Sequence, residues 1–112
     1  MKFIANIFDL KNHLGIPVNE NEVIKTISID TRTIKRHALF IAIKGKNFDG
    51  NNFVDDAISK GANIVIADQY RYRDCKNKKI IYVKDTITAL RKISKSIIKQ
   101  YKGNVIAITG SN

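Results

Sequence analysis

The sequence predicts a single α/β domain with three layers, α/β/α, around a mainly parallel or mixed sheet. Three observations lead there. The run Leu39-Phe40-Ile41-Ala42-Ile43 is nearly continuous in apolar residues, the pattern of a strand covered on both faces, and Ile64-Val65-Ile66-Ala67, Ile80-Ile81-Tyr82-Val83 and Val105-Ile106-Ala107-Ile108 look similar. Segments with helical spacing separate several of these runs, and a strand-helix-strand order argues for right-handed crossovers between parallel strands. The chain has 112 residues and 44% hydrophobic content, enough for one core and too little for two ordinary domains.

Taken in order, Phe3, Ile4, Ile7, Phe8, Leu10 and Leu14 recur at helical spacing, and Gly15-Ile16-Pro17 would stop a helix there. A short amphipathic helix docked on the core is expected, followed by the polar connector Asn19-Glu20-Asn21-Glu22. Residues 23–29 are β-branched and favour a strand. Residues 39–43 form the next strand, and the loop Lys44 to Gly50 ends it. Asn51 or Asn52 is expected to cap a helix whose apolar face is Phe53, Val54, Ala57 and Ile58. Asp55 and Asp56 near its start and Lys60 near its end suit the helix dipole, and Gly61 lies just past it. Residues 63–67 and 80–83 are strands joined by a polar loop. From Asp85 or Thr86 as cap, Ala89, Leu90, Ile93, Ile97 and Tyr101 mark the apolar face of a long helix, with Lys99 and Lys102 in its last turn and Gly103 beyond. Residues 104–108 are the last strand. No internal repeat or low-complexity segment interrupts this order.

Composition narrows the function classes. No run of about 18 apolar residues exists, so no membrane-spanning helix is expected. Asn6 and Asp9 interrupt the apolar start and no small-residue cleavage site follows, so it does not read as a signal peptide and a cytoplasmic location is expected. Cys75 is the only cysteine and stands in a polar stretch, which makes it a free surface thiol. The net charge is +10, but the lysines are scattered over every segment and form no stripe. A nucleic-acid-binding domain is the alternative from another class, and it needs a clustered cationic face that the sequence lacks; no nucleic-acid partner is expected. His13 and His37 have no companion ligands nearby, so no metal site is expected.

The functional signal concentrates between Ser28 and Val54. Two short apolar runs there pass at once into polar, glycine-containing sequence: Ile29-Asp30-Thr31-Arg32, and Lys44-Gly45-Lys46-Asn47-Phe48-Asp49-Gly50 after Ile43. Ligands of α/β sheets bind where strands end and loops begin, so the two edges suggest one rim. Asp30 and Arg32 can pair with each other, Phe48 can be a loop anchor or a ligand surface, and Lys44 and Lys46 can be solvated or can hold an anion. The last strand runs into Thr109-Gly110-Ser111-Asn112, which is how a phosphate-binding loop begins.

These motifs together, with Lys60-Gly61-Ala62, Val83-Lys84-Asp85-Thr86 and Ala89-Leu90, resemble in order and spacing the amino-terminal part of the Mur ligases, from about residue 26 to the end. Asp30-Thr31-Arg32, Asn47-Phe48-Asp49-Gly50 and Thr109-Gly110-Ser111-Asn112 look more like the branch that adds D-alanyl-D-alanine to UDP-N-acetylmuramoyl-tripeptide than the branch that adds the third amino acid. The resemblance implies that residues 1–103 are the UDP-sugar-binding domain and 104–112 the truncated start of the central ATP-binding domain. It implies contacts to the substrate from Ile29, Thr31, Arg32, Gly45, Lys46, Asn47 and Phe48. Thr109, Gly110, Ser111 and Asn112 would open the ATP site.

ATP and Mg2+ serve the full-length enzymes of the family, and the resemblance implies no catalytic residue, no metal and no cofactor for this stretch alone, which is expected to be inactive. A monomer is expected. Two departures from the family pattern stand out: Arg36-His37-Ala38 replaces a glycine-acid pair before the Leu39-Phe40 strand, and Asn51 stands where a histidine is common.

Overall fold

The structure is a computed structural model that describes residues 5–6, 23–24, 26–101 and 108–109, with side chains described for residue 24 and residues 26–95. Five strands make its main sheet: β3 (Thr26–Ser28), β4 (Ala38–Ile41), β5 (Ala62–Ala67), β6 (Ile80–Tyr82) and β7 (Ile108–Thr109), in the order β6-β5-β4-β3-β7. Every pairing in it is parallel. A separate two-stranded ribbon pairs β1 (Ala5–Asn6) antiparallel with β2 (Val23–Ile24).

Burial explains the layers. Along β4 all four residues are buried, and side chains of a strand alternate between its faces. Leu39 and Ile41 join one core with Ile24, Ile27, Ile64, Ile66 and Ile81, closed by Ala89 and Ile93 of helix α2 (Thr86–Tyr101). Phe40 and Ala42 join a second core with Val65 and Ala67, closed by Val54 and Ala57 of helix α1 (Val54–Ser59). The sheet is thus covered by helices on both faces, as the continuous apolar runs require. Helix α2 leaves the β6 edge and the chain returns at β7 on the opposite edge. Its 16 residues span about 24 Å, comparable with the roughly 19 Å across five strands.

Three sequence expectations change. Ala5–Asn6 are paired as a strand, not part of a helix; a short apolar run satisfies either period, and an antiparallel partner at Val23–Ile24 decides between them. The rest of the helix expected over residues 3–14 lies outside the described residues, as do residues 104–107 of the last strand. The single strand expected over residues 23–29 divides between the ribbon and the main sheet, and Ile29 already lies beyond β3. Helix α1 is not capped by Asn51 or Asn52. A 3-10 turn, Gly50–Phe53, precedes it, and Asp49 caps that turn by accepting the Asn51 backbone N–H at 2.9 Å.

Two turns set up the next strands. Gly61 follows α1 with φ 115°, a left-handed conformation that favours glycine. His37 also has positive φ, 64°, immediately before β4, and its backbone N–H donates to the Gly61 carbonyl at 3.1 Å. The imidazole Nδ1 lies 2.9 Å from Asn63 Nδ2. The Arg36-His37 sequence therefore makes, by a side-chain-supported left-handed residue, the turn for which the family pattern has a glycine.

Candidate functional site

In a parallel sheet all strands deliver their ends to the same edge. Here that edge carries Ile29–Arg32 after β3, Ala42–Gly50 after β4, Asp68–Gln69 after β5, Val83–Asp85 after β6 and Thr109 at the end of β7, which is in register with Ser28. The first two segments are the pair singled out from the sequence.

After β3 the chain turns on itself. Asp30 is buried at 5% exposure and caps the 3-10 turn Thr31–Thr33, its Oδ1 accepting the Arg32 backbone N–H at 2.9 Å. The Arg32 guanidinium donates to both carboxylate oxygens of Asp30, with Nε at 3.0 and 2.9 Å. The anticipated Asp30–Arg32 pair exists, but in a 3-10 turn and not along a strand edge. Ser28 Oγ donates to the Asp30 carbonyl at 2.7 Å, and Thr33 Oγ1 does so at 3.0 Å. The hydrogen bond and charge of Asp30 raise the pKa of Arg32, whose side chain remains largely exposed. Ile29 is half-buried against the α2-side core. Thr31 is 4% exposed, and its carbonyl accepts Lys60 Nζ at 3.2 Å.

The loop after β4 is a tight reversal. Lys44 and Asp49 form an isolated antiparallel bridge, Gly45 N–H donates to the Phe48 carbonyl at 2.6 Å, and Gly50 N–H donates to the Ile43 carbonyl at 2.9 Å. Lys46 and Asn47 stand exposed at its tip. Phe48, 41% exposed, stacks on Phe53 with ring centroids 4.8 Å apart and planes 20° apart. The stack presents an apolar surface beside cationic and amide groups. That combination suits a planar base carried on a phosphate.

A buried network holds this loop from behind. Asn51 is 1% exposed, and its Nδ2 donates to Asp49 Oδ1 at 2.8 Å and to Asp68 Oδ1 at 2.9 Å. Its Oδ1 accepts the backbone N–H groups of Asp68 and Gln69 at 3.0 and 3.1 Å, so all four hydrogen-bonding positions of the amide are used. Asp68 Oδ2 in turn accepts Thr86 N–H and Oγ1 at 3.2 and 3.1 Å, at the start of α2. Gln69 Nε2 donates to Asp49 Oδ2 at 2.9 Å. Burial pushes the Asp49 carboxyl up, but the hydrogen bonds from Asn51 and Gln69 and the charge of Lys44 outweigh it and hold the pKa below the usual value.

Beyond this network, an open groove of about 450 Å³ runs along the end of β6 and the first turns of α2, lined by Tyr82, Val83, Lys84, Asp85, Thr88, Ala89 and Lys92. Asp85 caps α2, accepting Ile87 N–H at 2.9 Å. Among the described residues, no group of three or more His, Cys, Asp or Glu side chains could hold a metal ion. Thr109 ends β7, while Gly110, Ser111 and Asn112 lie outside the described residues.

A family model described as "Mur ligase family, catalytic domain" matches residues 23–101. The chain belongs to the Mur ligase family. Among curated members, this Mur ligase chain is similar to the UDP-N-acetylmuramoyl-tripeptide--D-alanyl-D-alanine ligase of Bacillus subtilis (strain 168), with 37% identity over 110 residues, 97% of this chain and 24% of that protein. It is also similar to the UDP-N-acetylmuramoyl-L-alanyl-D-glutamate--2,6-diaminopimelate ligase of Rickettsia montanensis, with 43% identity over 89 residues, 80% of this chain and 18% of that protein. The chain thus spans about a quarter or less of the length of these relatives. Of solved structures, the MurF ligase of Thermotoga maritima in complex with ADP aligns with a TM-score of 0.60 at 25% identity, over 67% of this chain and 17% of that one.

For this Mur ligase chain, the structure brings Gly45, Lys46, Asn47 and Phe48 together in one reversal and puts Ile29, Thr31 and Arg32 in the turn after the neighbouring strand. No direct bond between the two groups is seen among the described residues. Sequence reasoning missed Asp68 and Gln69 and read Asn51 as a cap at a position where the family commonly has a histidine. A signal existed for Asp68: it is the first charged residue after the buried run Ala62–Ala67, where a carboxylate needs partners.

Proposed function

We propose that residues 1–103 form the UDP-sugar-holding amino-terminal domain of a ligase that adds D-alanyl-D-alanine to UDP-N-acetylmuramoyl-tripeptide in peptidoglycan biosynthesis. The observation that carries this reading is the loop Lys44–Gly50, where an exposed aromatic stack adjoins the Lys46 and Asn47 tip, in a chain of which 97% aligns with a ligase of that name. Phe48 would offer its face to the uracil. Lys46, Asn47 and the loop backbone would donate to the diphosphate, and Ile29, Thr31 and Arg32 would line the other side through the turn after β3.

In the same reading, residues 104–112 lead into the ATP-binding domain, and Thr109, Gly110, Ser111 and Asn112 open its phosphate loop. ATP and Mg2+ would serve the parent enzyme, acting as a monomer in the cytoplasm during cell-wall growth and division. The chain by itself would bind the nucleotide sugar only weakly and would not catalyse ligation. ATP-dependent phosphate release by these 112 residues would contradict that.

A second reading has a specific observation behind it: the 43% identity to the Rickettsia montanensis enzyme, whose name gives 2,6-diaminopimelate as the added amino acid. Phosphate release by the parent enzyme, dependent on D-alanyl-D-alanine and not on 2,6-diaminopimelate, separates the two. For the holding site, the chain is titrated with UDP and with an oligonucleotide by NMR at two salt concentrations. Shifts with UDP at Thr31 and across Lys44–Gly50 are expected. Salt-sensitive shifts with the oligonucleotide alone would overturn the reading in favour of nucleic-acid binding.

A further inference from the structure

We infer that Asn51 is a positioning residue for the ligand-holding loop, acting as a latch that ties Asp49 at the end of that loop to Asp68 at the end of β5; this rests on the UDP-sugar reading above. The geometry is specific. The Asn51 amide group donates to one carboxylate on each side while its carbonyl oxygen accepts two backbone N–H groups of the β5 loop. The Asn51 backbone carbonyl also accepts Arg71 Nη2 at 2.9 Å and Tyr72 Oη at 3.1 Å. Asp68 passes the connection to Thr86 of α2. The segments that follow three successive strands, β4, β5 and β6, are therefore linked through two side chains, Asn51 and Asp68.

The loop itself has few other restraints. Its tip residues are exposed, and its closure rests on the Phe48–Phe53 stack and on the two backbone bonds of Gly45 and Gly50 that make up the Lys44–Asp49 bridge. Asp49 sits at the base of the reversal, where the Asn51 amide grips it beside the Asn51 backbone N–H and Gln69 Nε2, so releasing the amide loosens that base. A loop that visits its binding shape only a fraction of the time binds more weakly by that fraction.

A neutral amide also suits this position because two carboxylates face it. Among the described residues, Asp49, Asp68, Arg71 and Tyr72 are the charged or titratable groups hydrogen-bonded to residue 51; Lys44 faces Asp49 and Asp55 faces Tyr72. An Asn51→Asp chain would place a third carboxylate there. It would have no donor at neutral pH and would regain one only when a proton is taken up.

The test uses the chain with UDP-N-acetylglucosamine, whose phosphates are both esterified and do not titrate near neutrality. Asn51→Ala is expected to bind about tenfold more weakly at every pH, as follows if the competent loop population falls to about a tenth. Asn51→Asp is expected to be equally weak at about pH 7.5 and to recover to within roughly threefold of the original chain at about pH 5, as the introduced carboxyl, facing two carboxylates, takes up a proton. Hydrogen exchange supplies a ligand-free readout: the Gly45 and Gly50 amides lose protection in Asn51→Ala while those of Leu39 and Phe40 keep it.

If Asn51→Ala does not fold, Gln69→Ala removes only the outer bond to Asp49 and should weaken binding about threefold with the same loss at Gly45. Unchanged affinity in Asn51→Ala, or weakening in Asn51→Asp alone, would overturn the latch. If the original chain does not bind the nucleotide sugar, the UDP-sugar reading fails, and unchanged protection at Gly45 and Gly50 would separately refute the latch.

Discussion

Gly50→Ala and Gly45→Ala place the same methyl group at two ends of one loop, and the structure assigns them opposite outcomes. A Cβ on Gly50 would lie 2.8 Å from Ile43 N and 2.9 Å from Ala42 Cα, both backbone atoms that cannot rotate away. Ordinary contact begins near 3.4 Å, so the reversal would have to open by about half an ångström at the point where Gly50 N–H bonds to the Ile43 carbonyl. Overpacking of this kind costs about 1–3 kcal/mol, and loss of that hydrogen bond adds about 1 kcal/mol. A Cβ on Gly45 meets only the Phe48 carbonyl oxygen at 3.5 Å, an ordinary contact. Gly45→Ala should therefore be neutral or stabilising by up to about 1 kcal/mol, since alanine restricts the unfolded chain. Urea unfolding followed by circular dichroism reads the difference. With a slope of about 2 kcal/mol/M, Gly50→Ala should lower the midpoint by roughly 1–2 M and Gly45→Ala should leave it or raise it. Equal midpoints for the two variants would refute the steric reasoning.

Other perturbations test other layers. Ile93→Ala removes a side chain that is 1% exposed beneath α2 and should cost about 2–5 kcal/mol in chemical unfolding. Phe48→Ala loses an exposed stack on Phe53, so stability should fall by no more than about 1.5 kcal/mol, while NMR shifts on adding UDP should shrink across the loop. Because the Asp49 pKa is depressed in the folded chain, its stabilising contribution is present above the unfolded value and is lost as pH falls through the folded one. Unfolding free energy should therefore drop on acidification below about pH 4, and Asp49→Asn should flatten that part of the profile.

Much of the architecture was legible because burial on both faces leaves a local signature. The runs around Phe40, Val65 and Ile81 are apolar without alternation, and each became a strand of the parallel sheet. Gly61 and Asp85 likewise bounded helices by chemistry that acts within a few residues. The loop Lys44–Gly50 was recognisable as a strand end, and its residues do form one reversal. Residues Ala5–Asn6 were less legible, because their pairing depends on a partner at Val23–Ile24 that no local period announces.

By itself, then, the sequence determined which segments are covered on both sides and where the chain must turn, since hydrophobic burial and turn chemistry act over a few neighbouring residues. Only the tertiary structure decided that Asn51 faces Asp68 and Gln69, 17 and 18 residues away, instead of capping its own helix. The reason is register: parallel pairing of β4 with β5 brings the two strand ends to one edge, and a buried amide there must satisfy its donors and acceptors with whatever that edge supplies.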